Sequence, residues 1–439
     1  YKQPNTAFLL NMANLDGADK SISNLVFVPA HYLKQFHPDH TSKASLDAKV
    51  KEAGFDTWTQ LFAVEALPHL SGNRPGMAAW VPDGTTVSDQ VFTIKRNPYF
   101  VGIDPQGNQL PYIDEIRFTF YADREALNLA AVAGEIDFQG RHISMSTYPV
   151  LKENENKANY RVVTWPTFGG SDAVVMLNQT WTGPEGEYFR NKDFRIALSH
   201  AIDREAIKEL AFYGLGESRQ GVPAPFHPYY PGDEYAFRYT ELDMDKANSL
   251  LDGILPNKDS DGFRLMSNGN ILDIEIGIVP QFGNWPDIGQ LIVENWAEVG
   301  VKAHIEIRER TQHFNMRPAN ELMSEIWNED TTGFPFSGQP KFDPRSDPAL
   351  TFAPLIAKWY ASGGKEGQAP PAEIKRLVDI IDEAKTSGRN RQIALAKELF
   401  RIWADNVWEI GTVGMTPMIQ GVLVANDKLQ NVPAVAGND

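Results

Sequence analysis

Between Ile271 and Arg308 the chain changes its hydrophobic period twice, and these changes predict three consecutive elements. Leu272, Ile274, Ile276 and Ile278 alternate with Asp273, Glu275 and Gly277, the period of two of a half-buried strand. Pro286 stands where a first helical residue fits, and Ile288, Leu291, Ile292, Trp296 and Val299 then trace one helical face as far as Gly300. Val301, Ala303, Ile305 and Ile307 alternate with Lys302, His304, Glu306 and Arg308, so a second strand follows. Strand, helix and strand in this order normally make a right-handed parallel crossover. A further strand is predicted at Leu322 to Trp327.

The same reading places other elements. Phe194, Ala197, Leu198, Ala201, Ile202, Ala206, Ile207 and Leu210 recur every three or four residues and predict one amphipathic helix over Phe189 to Ile207, with Asp193 as its N-cap. Asp203 and Arg204 are expected to pair across its surface or to hold a neighbouring loop. Arg124 to Ala133 reads as a helix ended by Gly134 as a C-cap, and Ile116 to Tyr121 as a strand. Two apolar stripes, Ile374 to Ile381 and Ile393 to Trp403, separated by Ser387 and Gly388, predict a helical hairpin. Val407 to Val424 returns to strand composition.

Composition narrows the class. A chain of 439 residues with 42% hydrophobic content exceeds one core and predicts two domains or three. A formal charge of -16 argues against nucleic acid and anionic membrane surfaces as partners. With no cysteine, disulfides, thiolate metal sites and a cysteine nucleophile are excluded. No run approaches the roughly 18 apolar residues of a membrane span. The sequence lacks an initiating Met and enters AFLLNM directly, so an amino-terminal portion, with any export signal or lipid anchor, is expected to be missing.

FRNKDFRIALSHAIDREAI resembles a stretch of the bacterial extracellular solute-binding proteins of family 5, the oligopeptide-, dipeptide- and nickel-binding type that serves ABC importers. HYLKQFHP at His31, Asn97 to Ile116, AAVAGEIDF at Ala130 and the Asp261 turn resemble further family segments in the family's order. The resemblance implies an α/β, two-lobed, flytrap-like periplasmic binding protein fold of type II, with mixed sheets flanked by helices. Residues 1–165 would form the later part of lobe I and 166–412 lobe II, with 413–439 returning to lobe I. It further implies capture without chemistry of an oligopeptide-like solute, or of an oligosaccharide or opine-like one. The protein would act as a monomer without cofactor, in the periplasm or outside the cell, and deliver its solute to a membrane permease.

Ligands of open parallel sheets sit beyond the carboxyl ends of the strands, which directs attention to two loops. Phe282, Asn284 and Trp285 in PQFGNW combine aromatic faces with an amide, suited to a side chain or a sugar ring. The plainer alternative has Phe282 and Trp285 capping the core. Trp327 and Asp330 in WNED match the Trp-x-x-Asp pattern with which oligopeptide binders of this family hold the ligand's amino terminus; Glu329 competes for that role. Phe168, Gly169 and Gly170 form a bend whose backbone can approach a ligand closely, and Asn178 at the end of the same segment is grouped with them.

Other candidates point away from chemistry. Asn257 to Asn268 imitates the start of a calcium loop but has Asn268 where a bidentate Glu is required, so a structural turn is expected. His31, His37 and His40 fit no zinc spacing, and His200 and His304 lie within helix and strand patterns. No G-x-S-x-G, H-E-x-x-H or phosphate-loop motif occurs. The rival from another class is a secreted carbohydrate-active enzyme, which needs two convergent carboxylates about 5 to 10 Å apart.

Overall fold

The computed structural model describes residues 28–67, 69–281, 283–329, 332–333, 335–336, 341–345, 351–418 and 421–436. They fall into two compact units that divide between Ala122 and Asp123.

In the first unit, short helices at Ala30–Leu33, Lys43–Glu52 and Trp58–Glu65 close over Leu33, Phe36, Val50 and Leu61. Thr57 starts the third helix with a capping box to Gln60. The imidazole of His37 lies edge-on to Trp58 and Phe62, with ring centres 5.0 and 5.8 Å away, as part of this packing. Strands β1 (Trp80–Pro82), β2 (Val91–Arg96) and β3 (Glu115–Thr119) form an antiparallel sheet in that order. In the loop before β3 the Asp104 carboxylate accepts the backbone N–H groups of Gln106 and Asn108 and the Tyr112 hydroxyl.

The second unit contains β4 (Phe138–Gln139), β5 (Tyr160–Thr164), β6 (Ser171–Leu177), β7 (Glu217–Ser218), β8 (Asp273–Ile278), β9 (Lys302–Ile307), β10 (Ser324–Glu329), β11 (Glu409–Gly411), β12 (Val413–Gly414) and β13 (Val422–Asn426). Five of these make one mixed sheet in the order β11-β6-β10-β8-β9, with β8 parallel to both β9 and β10. The helix Trp285–Glu298 connects β8 to β9, as the changing hydrophobic period predicts. Strand β6 is buried throughout because both of its faces are covered. Ala173, Val175 and Leu177 join the core beneath Trp285–Glu298 and Lys192–His200, while Met176 packs with the hairpin of Ala372–Ala384 and Arg389–Asn406.

The stretch expected to be a single helix over Phe189 to Ile207 is divided. Gly186–Arg190 is followed by Lys192–His200, capped by Asn191 rather than Asp193, and then by Arg204–Phe212, capped by Asp203. Arg204 explains the break. It is 1% exposed, and its guanidinium donates to the carbonyls of Gly411, Ser199 and Thr240, so the chain turns inward where an exposed arginine would have let the helix continue. Arg124–Ala133 follows its prediction, with Gly134 in the left-handed conformation at φ 76°. In the turn that imitates a calcium loop, the Asp259 carboxylate accepts the backbone N–H groups of Asp261 and Phe263.

A smaller sheet, β4-β13-β5, lies in the same unit. The chain passes from β5 to β6 through 165–170 and returns from β12 to β13 through 415–421. The two passages are bonded to each other: Trp165 N–H donates to Gly421 O at 2.7 Å and Thr167 N–H to Thr416 O at 2.9 Å. No helix among the described residues is long and apolar enough to cross a membrane.

Candidate functional site

Strand directions decide which candidate residues meet. Strands β6 and β10 are antiparallel with Ser171 opposite Glu329 and Leu177 opposite Ser324, and β8 runs parallel to β10. The carboxyl ends of β8 and β10 therefore share one sheet edge with the amino end of β6. The end of β8 with Val279–Gln281, the end of β10 at Glu329 and the Phe168–Gly170 bend meet there. Asn178 lies at the opposite edge, a strand length of about 20 Å away. Its amide bonds Leu322 O and Asn320 Oδ1 at 2.9 Å each, and it is fully buried, closing the far end of the sheet.

At the converging edge, Trp285 is a core residue. It has no exposed surface and donates its indole N–H to Asp172 O at 3.0 Å. Asn284 donates its amide to Ala211 O at 3.3 Å. A Cβ on Gly283 would come within 2.6 Å of the Met418 sulfur, so the loop backbone lies directly on Met418. Phe282 lies outside the described residues.

Trp327 is half-buried, with its ring centre 5.1 Å from that of Trp285 and 5.5 Å from that of Phe314, and with the Arg317 guanidinium 4.5 Å away. Beneath it, Glu325 accepts from His313 Nε2 at 2.7 Å and from Arg317 at 2.7 and 3.0 Å. Burial alone would raise that carboxyl, but the charge of Arg317 and the His313 bond hold it at about 2. This network fixes the helix Arg310–Ala319 against β10 and sets the orientation of Trp327.

Asp330 lies outside the described residues. Glu329 turns inward. It is 1% exposed and meets the buried Glu409, whose carboxyl is pushed well above its ordinary range by burial and by the charge of Glu329. Lys341 Nζ stands 3.9 Å from Glu329 Oε2. This juxtaposition left no signal in the sequence, because the two glutamates lie far apart in the chain and only the sheet brings them together.

Phe168 packs edge-on to Phe226 with ring centres 4.6 Å apart. Gly169 and Gly170 are buried. Gly170 N–H donates to Glu329 O at 2.8 Å, and a Cβ on Gly170 would lie 2.4 Å from the Gly221 carbonyl carbon, so only glycine allows this approach.

A small pocket opens beside the edge, between Gln281, Gly283 and Asn284 on one side and the segment that follows β4 on the other. Its residues from the smaller-sheet side, Arg124, His142 and Ser144, were not singled out by sequence pattern. Asn128, 6% exposed, shapes that wall by accepting the Ser144 N–H at 2.9 Å and donating to His142 O, which holds His142 in the left-handed region at φ 66°. No group of three or more metal-ligating side chains occurs among the described residues.

Comparison with known proteins assigns the family. A sequence model of the "Bacterial extracellular solute-binding proteins, family 5 Middle" matches residues 75–400. The chain is 26% identical over 432 residues to the periplasmic alpha-galactoside-binding protein of Rhizobium meliloti (strain 1021), covering 92% of this chain and 56% of that protein. It therefore spans little more than half the length of that relative. The structure of an oligopeptide-binding protein OppA superposes with a TM-score of 0.74 at 31% identity, over 100% of this chain and 70% of that one. MelB of Agrobacterium fabrum C58, solved in complex with stachyose, superposes with a TM-score of 0.60 at 21% identity, over 92% and 59%. The fold is the α/β class of the two-lobed periplasmic binding proteins, with mixed sheets flanked by helices. The chain belongs to the family 5 bacterial extracellular solute-binding proteins.

Proposed function

We propose that this chain is part of the solute-capturing component of an ABC importer, binding without chemistry and passing its solute to a membrane permease. The observation that carries the reading is membership of a solute-binding family across residues 75–400. Its site is the converging sheet edge, with the 165–170 and 415–421 passages as the hinge between lobe II (166–412) and a lobe I built from 1–165 and 413–439. Ligand contacts from both sides of a hinge favour the closed form by their differential affinity. The protein works in the periplasm or at the cell exterior.

The leading solute is oligopeptide-like, in keeping with the 31% identity to OppA and with the Trp327 and Asp330 pattern. The oligosaccharide reading is favoured separately by the alpha-galactoside-binding relative, which covers 92% of the chain. Native mass spectrometry of protein purified without refolding distinguishes them by the mass of a retained solute. Asp330→Ala is expected to weaken a peptide with a free amino terminus; unchanged affinity removes that assignment, and hydrolysis of a bound saccharide overturns the transport reading.

A further inference from the structure

The pocket beside the 281–284 loop has an electrostatic character opposite to that of the whole chain. The sequence carries a formal charge of -16, yet the titratable groups lining the pocket are Arg124 and His142, both basic, with Arg141 next in sequence. Arg124 is half-buried at the first turn of the helix Arg124–Ala133, whose N-cap Asp123 accepts the Ala126 N–H and whose first turn also carries Glu125, both outside the pocket lining. Among the described residues its guanidinium has no carboxylate partner within ion-pair distance. Burial lowers the Arg124 guanidinium from its ordinary value, with no acidic group acting on it. The His142 imidazole is lowered by burial, then by Arg141 and Arg124, again with no carboxylate offsetting them.

A half-buried arginine normally has an acidic partner, because desolvating a guanidinium without one is costly. Here the surrounding groups are neutral: Ser144, Gln281 and Asn284, with Met418 as the apolar floor. The wall that presents His142 and Ser144 is held in a strained left-handed turn by the buried Asn128, so the arrangement is fixed before a ligand arrives. We infer that this pocket receives a carboxylate of the captured solute, with the Arg124 fork as its ion-pair partner and His142, Ser144 and the two amides supplying further hydrogen bonds. One permanent cation beside a weakly basic imidazole matches a single planar acid group, which a guanidinium binds through two parallel bonds.

This inference rests on the solute-capture reading and narrows its substrate class to acidic solutes. Calorimetric titration with two matched pairs tests it: a tripeptide against its C-terminal amide, and trigalacturonate against galactotriose. In at least one pair the acidic member is expected to bind about tenfold or more tightly, as a charged hydrogen-bonded pair implies. Arg124→Ala should abolish that preference, and Arg124→Lys, which keeps the charge but not the fork, should retain part of it. Both variants are checked for an unchanged thermal transition. A bound pair with no acidic preference, or a preference that survives in Arg124→Ala, overturns the pocket assignment and leaves solute capture standing. Failure of all four probes to bind overturns the pocket assignment, whereas solute capture stands or falls on the retained solute seen by native mass spectrometry.

Discussion

Glu329 and Glu409 present their carboxyl groups to one another inside the second unit, and the Trp403 indole N–H donates to Glu409 Oε2 at 3.2 Å. Two neighbouring carboxyls away from water cannot both ionise cheaply, so Glu409 keeps a proton that it would lose in the unfolded chain.

The direction of the pH dependence follows. Glu409 is raised, so the folded state binds more protons than the unfolded state once the pH exceeds the ordinary carboxylate value of 4.5, and its contribution to stability falls as the pH rises toward the shifted value. Glu409→Gln removes the titration while keeping the shape. Urea denaturation at pH 5 and pH 7 is expected to show the wild type losing more stability across that interval than the variant. Equal losses would contradict the buried pair.

Glu325 carries the opposite sign. Its folded-state value of about 2 lies below the ordinary 4.5, so its contribution is complete above 4.5 and is lost as the pH falls toward 2. Arg317→Met leaves Glu325 buried without its main charge partner and should cost about 3–5 kcal/mol at neutral pH. The gap between wild type and variant should narrow below pH 4.5, as followed by denaturant titration. A gap that is constant from pH 7 to pH 3 would show that the ion pair is not its source.

Gly170 and Gly253 form a contrasting pair. Alanine at 170 would place its Cβ against the Gly221 backbone and should destabilise by about 1–3 kcal/mol. Alanine at 253, in the helix Met244–Ile254, meets nothing within 4 Å and should stabilise by about 0.5–1 kcal/mol. Thermal melts of the two variants are expected to move in opposite directions, and a harmless Gly170→Ala would refute the close approach.

What the sequence discloses depends on whether a signal is local. The period-two runs of β8 and β9 and the helical stripe between them lie within forty residues, and each became the element that its pattern predicts. The break at Ala201–Asp203 was hidden because the apolar stripe continues through it, and only the burial of Arg204 by Gly411, two hundred residues later, makes the chain turn. At the site, the Phe168–Gly170 bend and the carboxyl ends of β8 and β10 could be found as strand-end positions, and the strand directions bring those ends to one edge. Side-chain direction was not legible. Trp285 turns into the core, Glu329 turns toward Glu409, and Asn178 lies at the far edge because β6 runs against its neighbour β10. Arg124 and His142 belong to no pattern, since a pocket wall made by a capped helix and a strained turn leaves only isolated polar residues in the sequence.

The central strand of the smaller sheet has a consequence for biosynthesis. Strand β13 lies between β4 and β5, yet it is encoded more than 250 residues after them, at Val422–Asn426. A ribosome that has released β4 and β5 has made two strands with no partner between them, and their backbone edges stay open until nearly all of this sequence has emerged. The large sheet can assemble its β8, β9 and β10 ladder during that wait, whereas the small sheet cannot. A nascent chain stalled before Val422 would therefore display strand edges open to pairing with other chains, and the emergence of Val422–Asn426 is the event that closes them.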